Sequence, residues 1–165
     1  MDRCLAGDLL KGKFPEAVEK IEYFRGDTAI TIRREFLREV LCFLKDKESL
    51  NYEMLVDLTG VDFFPADPRF MLVYLLHSMK LNKRLLIKVW IGEGDTAESV
   101  SDIFRAAEWL EREVFDMFGI KFKHHPDLRR ILLSDEFSGY PLRKDFPLEG
   151  HDFAKPFSVL LEEER

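Results

Sequence analysis

Cysteine is scarce in this 165-residue chain: Cys4 and Cys42 are its only two, 38 positions apart and without a Cys-x-x-Cys. A four-cysteine iron–sulfur or zinc site built by this chain alone is thereby excluded. Long apolar runs are missing too, the longest being Phe70 to Leu76, whereas a membrane-spanning helix needs about 20 residues. Residues 1–15 lack a basic start followed by an apolar stretch, so no secretory signal is expected. Neither GxGxxG nor GxxxxGK[ST] occurs, which removes the standard nucleotide loops. Basic charge is in deficit: 25 Lys and Arg against 31 Asp and Glu leave a net charge of −6. A nucleic-acid binder held by phosphate contacts would have the opposite balance. Hydrophobic residues nevertheless make up 46%, enough to bury a core in one domain of ordinary size.

Periodicity divides the chain into a regular part, 1–119, and an irregular part, 120–165. Pro15 to Phe24 reads as a short helix stopped by Gly26, and Thr28 to Arg33 alternates with strand period. Glu35 to Lys45 places Phe36, Leu37, Val40, Leu41 and Leu44 at helical spacing. A helical turn over Tyr52 to Leu58 is expected to lead into a strand at Val61 to Phe64. Phe70 to Met79, apolar on both faces, reads as a covered central strand, joined through Leu81-Asn82-Lys83 to a second at Arg84 to Ile91. Ser99 to Phe118 is the longest helical pattern. The order predicts an α+β fold, helices packed on a mainly antiparallel or mixed sheet, followed by an extended irregular C-terminal ribbon. That ribbon carries four of the seven prolines, three of the four histidines and five of the 15 phenylalanines. A disordered tail would be poor in aromatics, so the ribbon is expected to lie against its own domain or on a partner.

On the long helix, Val100, Ile103, Phe104, Ala107, Leu110, Val114, Phe115, Met117 and Phe118 form one apolar arc. Asp102, Arg105, Arg112 and Asp116 fall opposite, spaced for (i, i+4) pairs. Glu111 lies inside the arc, and Glu113 at its edge. A carboxylate buried there must be paired, protonated or functional. The structural reading pairs it with Arg129 or Arg130; the catalytic one makes it a general acid or base with a raised pKa, acting with His124 or His125. A metal at His124-His125-Pro126-Asp127 is disfavoured, because adjacent histidines on extended chain point to opposite sides. Two arginines in Leu128-Arg129-Arg130-Ile131-Leu132-Leu133 suit buried carboxylates or a subunit boundary. The stretch from Phe137 to Leu148, with Tyr140, Arg143, Lys144 and Asp145, combines aromatic anchors, arginine and prolines, as interfaces do.

The same residues carry a family resemblance. Glu111-Arg112-Glu113-Val114-Phe115-Asp116-Met117-Phe118-Gly119, then HPDLRRILL (125–133), GYPLRKDFPLEG (139–150) and, upstream, DLTGVDF (57–63) resemble the signature of the 30 kDa subunit of respiratory complex I, a proton-translocating NADH:quinone oxidoreductase. The resemblance implies a peripheral-arm subunit that binds no cofactor itself, in a complex using FMN, iron–sulfur clusters, NADH and quinone. It implies packing on the 49 kDa protein that forms the quinone site, next to other hydrophilic-arm subunits. Attachment to the membrane would be indirect, on the cytoplasmic side of a bacterial inner membrane or the matrix side of a mitochondrial one. No catalytic residue is implied. Glu111, Arg112, Glu113, Asp116, His125, Arg129, Arg130, Tyr140, Arg143, Lys144 and Asp145 become structural or interface positions. Tyr140 stands where many relatives have histidine. An equivalent scaffold protein of a membrane-bound hydrogenase-type complex is the alternative.

Overall fold

The computed structural model describes residues 5–148; Cys4 and the segment 149–165 of the expected ribbon lie outside them. Its main sheet forms from β1 (Val18–Phe24), β2 (Asp27–Ile32), β3 (Met54–Asp62), β4 (Phe70–Ser78) and β5 (Lys83–Ile91), in the order β1-β2-β5-β4-β3. All neighbours are antiparallel except β2 and β5, which run parallel in the middle. Helices α1 (Leu5–Lys13), α2 (Leu37–Asp46, after a 3₁₀ turn at Arg34–Phe36) and α3 (Ala107–Phe118) complete the fold, with a small parallel pair of β6 (Thr96–Glu98) and β7 (Lys121–Lys123). This is the mixed-sheet α+β class.

Register explains which side of the sheet is covered. Ile30, Ile87 and Tyr74 lie side by side across β2, β5 and β4, as do Ile32, Val89 and Leu72. All are essentially inaccessible and share one core with Leu10, Leu37, Val40, Leu41 and Leu44 of the helices. On the opposite face Val73, Leu75 and Trp90 are half-buried and Met54 is exposed. β4 is thus apolar on both faces, as expected, although β5 rather than β4 occupies the centre.

Several local expectations are corrected. Pro15 to Phe24 is not a helix: Val18–Phe24 is strand β1, and Gly26 is a hairpin residue instead of a helix stop. Arg25 (φ 50°) and Gly26 (φ 94°) both have the positive φ of a tight two-residue hairpin. Tyr52 to Leu58 is not a helical turn but runs into β3, where a bulge between Leu55 and Asp57 breaks the alternation; the strand expected over Val61 to Phe64 is the end of that same strand. The long helix begins at Ala107, not at Ser99. Val100, Ile103 and Phe104 are buried from a turn with isolated hydrogen bonds to the Val100 carbonyl, which mimics helical spacing. Arg38 of α2 holds that turn by a two-pronged bond to Asp102 (2.8 and 2.6 Å). Helix α1 had no counterpart in the sequence pattern.

Helix α3 crosses β3 at Gly60, where a Cβ would lie 2.9 Å from the Phe118 ring. Gly60→Ala should therefore lower unfolding stability by about 1–3 kcal/mol through overpacking. Adding Phe118→Leu to that variant should restore part of the loss, checked by urea denaturation of the three chains.

Candidate functional site

The C-terminal segment 124–148 contains no helix or strand, yet two acidic nodes fasten it to the domain. Asp116, on α3, is completely buried. Its Oδ2 accepts the backbone N–H of Ile131, Leu132 and Leu133 at 3.0, 2.8 and 3.0 Å, and its Oδ1 pairs with Arg130 at 2.6 Å. Burial alone would push this carboxyl up; the three amides and the guanidinium outweigh it and hold the group below its ordinary range. Arg130 spans the ribbon, donating also to the carbonyls of Phe137 and Gly139 at 3.1 Å each. Arg112, buried beneath the segment and stacked on Trp109, donates to the carbonyls of Arg129 and Arg130 at 3.1 Å. The expected outward face of α3 is therefore wrong at Arg112 and Asp116. The ribbon covers them.

The second node lies where β3 ends and β4 begins. Arg69 and Asp62, both nearly inaccessible, form a two-pronged pair at 3.0 and 2.9 Å. Arg69 extends to Glu93 at 2.9 Å and to Asp145 at 3.0 and 2.5 Å, while Asp62 accepts the Lys144 N–H at 2.8 Å. The Arg69 guanidinium holds Asp62 well below the carboxylate range and lowers Asp145 as well. Asp62, pulling hardest, then Asp145 raise Arg69 in turn. Between the nodes, Arg143 donates to the Phe118 carbonyl at 2.6 Å and stacks on Tyr140 and Phe70. Gly119 makes this close approach possible. Its φ is +76°, and a Cβ there would sit 2.6 Å from the Tyr140 ring.

Glu111 is buried as the helical pattern required, but its expected arginine partners are elsewhere: Arg130 pairs with Asp116, and Arg129, largely exposed, pairs with Asp127 at 2.9 Å. Glu111 Oε1 instead accepts the Val100 N–H at 2.7 Å, and Oε2 has no hydrogen-bond partner among the described residues. Desolvation raises this carboxyl to about 7. The fully buried His125 ring donates from Nε2 to the Glu108 carbonyl at 2.9 Å and accepts the Asp127 N–H at Nδ1. Both nitrogens are engaged as in a neutral ring, 3.9 Å from Glu111 Oε2. His124 turns outward to Glu98 at 3.0 Å, so the two histidines do diverge. Glu113 is exposed. Arg69 and Glu93 were absent from the residues singled out by sequence, and Asp62 entered only as part of the DLTGVDF motif. Their trace was faint: an acid and an arginine both ahead of the apolar stretch that becomes β4.

These contacts define a small α+β domain whose trailing segment is clamped by buried carboxylates. Its fold is shared with two solved chains. It superposes on Nqo5 of a trypsin-resistant fragment (1-134), with TM-score 0.64, 29% identity, and coverage of 74% of this chain and 98% of that one. A chain of the archaeal membrane-bound sulfane sulfur reductase gives TM-score 0.70 at 24% identity, over 95% of this chain and 88% of that one, a likeness of fold. Residues 30–152 match the family described as respiratory-chain NADH dehydrogenase, 30 Kd subunit, and the chain belongs to it. An NADH-quinone oxidoreductase subunit of Geotalea uraniireducens is 44% identical over 144 residues, 87% of each chain. The like-named protein of Rickettsia felis is 50% identical over 127 residues, 77% of this chain and 61% of its own.

Two variants separate the roles of the carboxyls. Asp116→Asn leaves Arg130 unpaired and should cost about 3 kcal/mol, with faster tryptic cleavage at Arg129 and Arg130 in limited proteolysis. Glu111 ionises in the unfolded chain near 4.5 but in the folded one near 7. Its contribution to stability is therefore unpenalised below the first value, falls as pH rises between them, and stays reduced above the second. Relative to Glu111→Gln, the native chain should lose about 3 kcal/mol between acidic and alkaline pH, read from denaturation at a series of pH values.

Proposed function

We propose that this chain is a peripheral-arm subunit of a proton-translocating NADH:quinone oxidoreductase, and that it holds the 49 kDa protein, which forms the quinone site, in place. The observation that carries this reading is the two-sided character of segment 124–148. One side is clamped to α3 and the sheet end by Asp116 and Arg69. The other presents Leu132, Leu142 and Leu148 to solvent at 63%, 54% and 103% exposure. Apolar side chains held outward on a fixed backbone suit a protein partner, because the ordering cost of docking is already met.

In this role the chain supplies no redox centre; FMN, iron–sulfur clusters and quinone belong to neighbouring subunits. Attachment to the membrane would be peripheral and through partners, on the cytoplasmic face in bacteria. Among the described residues no helix is long and apolar enough to cross a membrane. A hydrogenase-type complex with the same scaffold would use the same surface.

The double variant Leu132→Asp/Leu148→Asp, and separately Arg129→Glu, should leave the melting temperature of the isolated chain unchanged, since these side chains are exposed. Both should reduce the amount of assembled complex several-fold, with turnover per assembled complex preserved. Normal assembly with lost turnover, measured by native gel and quinone-dependent NADH oxidation, would instead point to a direct catalytic part.

A further inference from the structure

A cleft of about 910 Å³ lies at the opposite end of the sheet from the ribbon. It opens where parallel β2 and β5 begin, between the β1–β2 turn and the β4–β5 turn, with the start of α1 along one side. β4 runs from the ribbon node at Phe70 to the cleft at His77 and Ser78, and its nine residues separate the two regions by about 27 Å. The lining is apolar at Leu5, Tyr23, Leu50, Tyr52 and Leu81. Large apolar side chains extend past the cavity onto the turns: Phe24 is 70% exposed and Met79 67%.

Cations are concentrated on the rim of this cleft, beside Glu53, which accepts the Met79 N–H at 3.1 Å, and Glu48, whose carbonyl accepts from Lys80 at 3.0 Å. The net charge of the chain is −6, yet Arg25, Lys80, Lys83 and Arg84 cluster on the two turns and the start of β5. Asp27 is the one carboxylate in the lining. Lys83 and Arg84 have no carboxylate partner among the described residues, and the buried Nδ1 of His77, also in the lining, has no hydrogen-bond partner there. An apolar, aromatic centre with a basic rim is the pattern of a protein interface. The apolar surface is wider than the cavity, which favours a chain segment over a small molecule.

We infer that the cleft between the two turns docks an acidic, apolar-bearing segment of a neighbouring protein of the complex, making the chain a bridge with partners at both ends of its sheet. This rests on the reading of the chain as a complex subunit, but on a surface separate from the ribbon. The test places a photo-crosslinking amino acid at Phe24 in the assembled complex, and in parallel at Leu148, with mass spectrometry of the linked peptides. The Phe24 probe should capture a peptide of a different protein in the complex, one with net negative charge and at least one large apolar side chain. Lys83→Glu/Arg84→Glu should lower that yield about tenfold or more, while Lys83→Arg/Arg84→Lys retains it. Both residues are exposed, so the melting temperature of the isolated chain should not move. Linkage of Phe24 to lipid, to residues 1–4 of the same chain, to a second copy or to a neutral or basic peptide would overturn the inference. So would no linkage, or a yield indifferent to charge reversal. A Leu148 probe that links normally in such a case leaves the ribbon reading intact, and its own failure would be read separately.

Discussion

Three consecutive backbone amides and one guanidinium converge on the carboxylate of Asp116, and the course of the C-terminal segment depends on that convergence. A carboxylate taken out of water is costly unless its lone pairs are filled by well-placed donors. The ribbon supplies those donors, and in return the helix gives an irregular segment a fixed origin. Arg130 then extends the order by tying the carbonyls of Phe137 and Gly139 to the same point. Arg69 repeats the logic in mirror image: there a buried cation collects carboxylates from β3, the β5 exit and the ribbon. Hydrophobic burial builds the domain, while hydrogen-bonded charge fixes what trails behind it.

Much of this was legible in the linear chain, and the failures have identifiable causes. β2, β4, β5 and α2 declared themselves because each buries a periodic apolar set against one core. β1 was hidden because Gly26 serves as a hairpin residue while looking like a helix stop. β3 was hidden by its bulge, and the turn at 99–106 imitated a helix by burying residues at helical intervals. Glu111 was found by its position inside an apolar arc, though its contact proved to be a backbone amide and not an arginine. Arg112 and Asp116 were placed on the solvent side because a helical wheel sees only the helix. It cannot see a later segment returning to cover a charged face. Arg69 was missed for a related reason, since its meaning lies in a contact with Asp145 more than 75 residues away.

The acids of this chain fall into two physical kinds. Asp62, Asp116 and Asp145 are held in the ionised form by arginine or backbone donors. Glu111, with one donor and little water, is driven toward the neutral form. The first kind fastens segments together; the second sits beneath the turn before α3, beside the His125 ring and the buried Tyr74 hydroxyl. A negative overall charge is thus unevenly used, with structural carboxylates at one end of the sheet and a cluster of cations at the other.

The ribbon's contact points come from the end of β3, the start of β4, the loop after β5 and the C-terminal half of α3, so no single stretch of chain can dock it. During synthesis all four places appear before residues 124–148, and they meet only once the sheet has closed around its parallel central pair. An ordered ribbon is consequently a report that the domain behind it has folded. Any partner that recognises the ribbon is, in effect, inspecting the finished core before committing to it, although it touches none of the core itself.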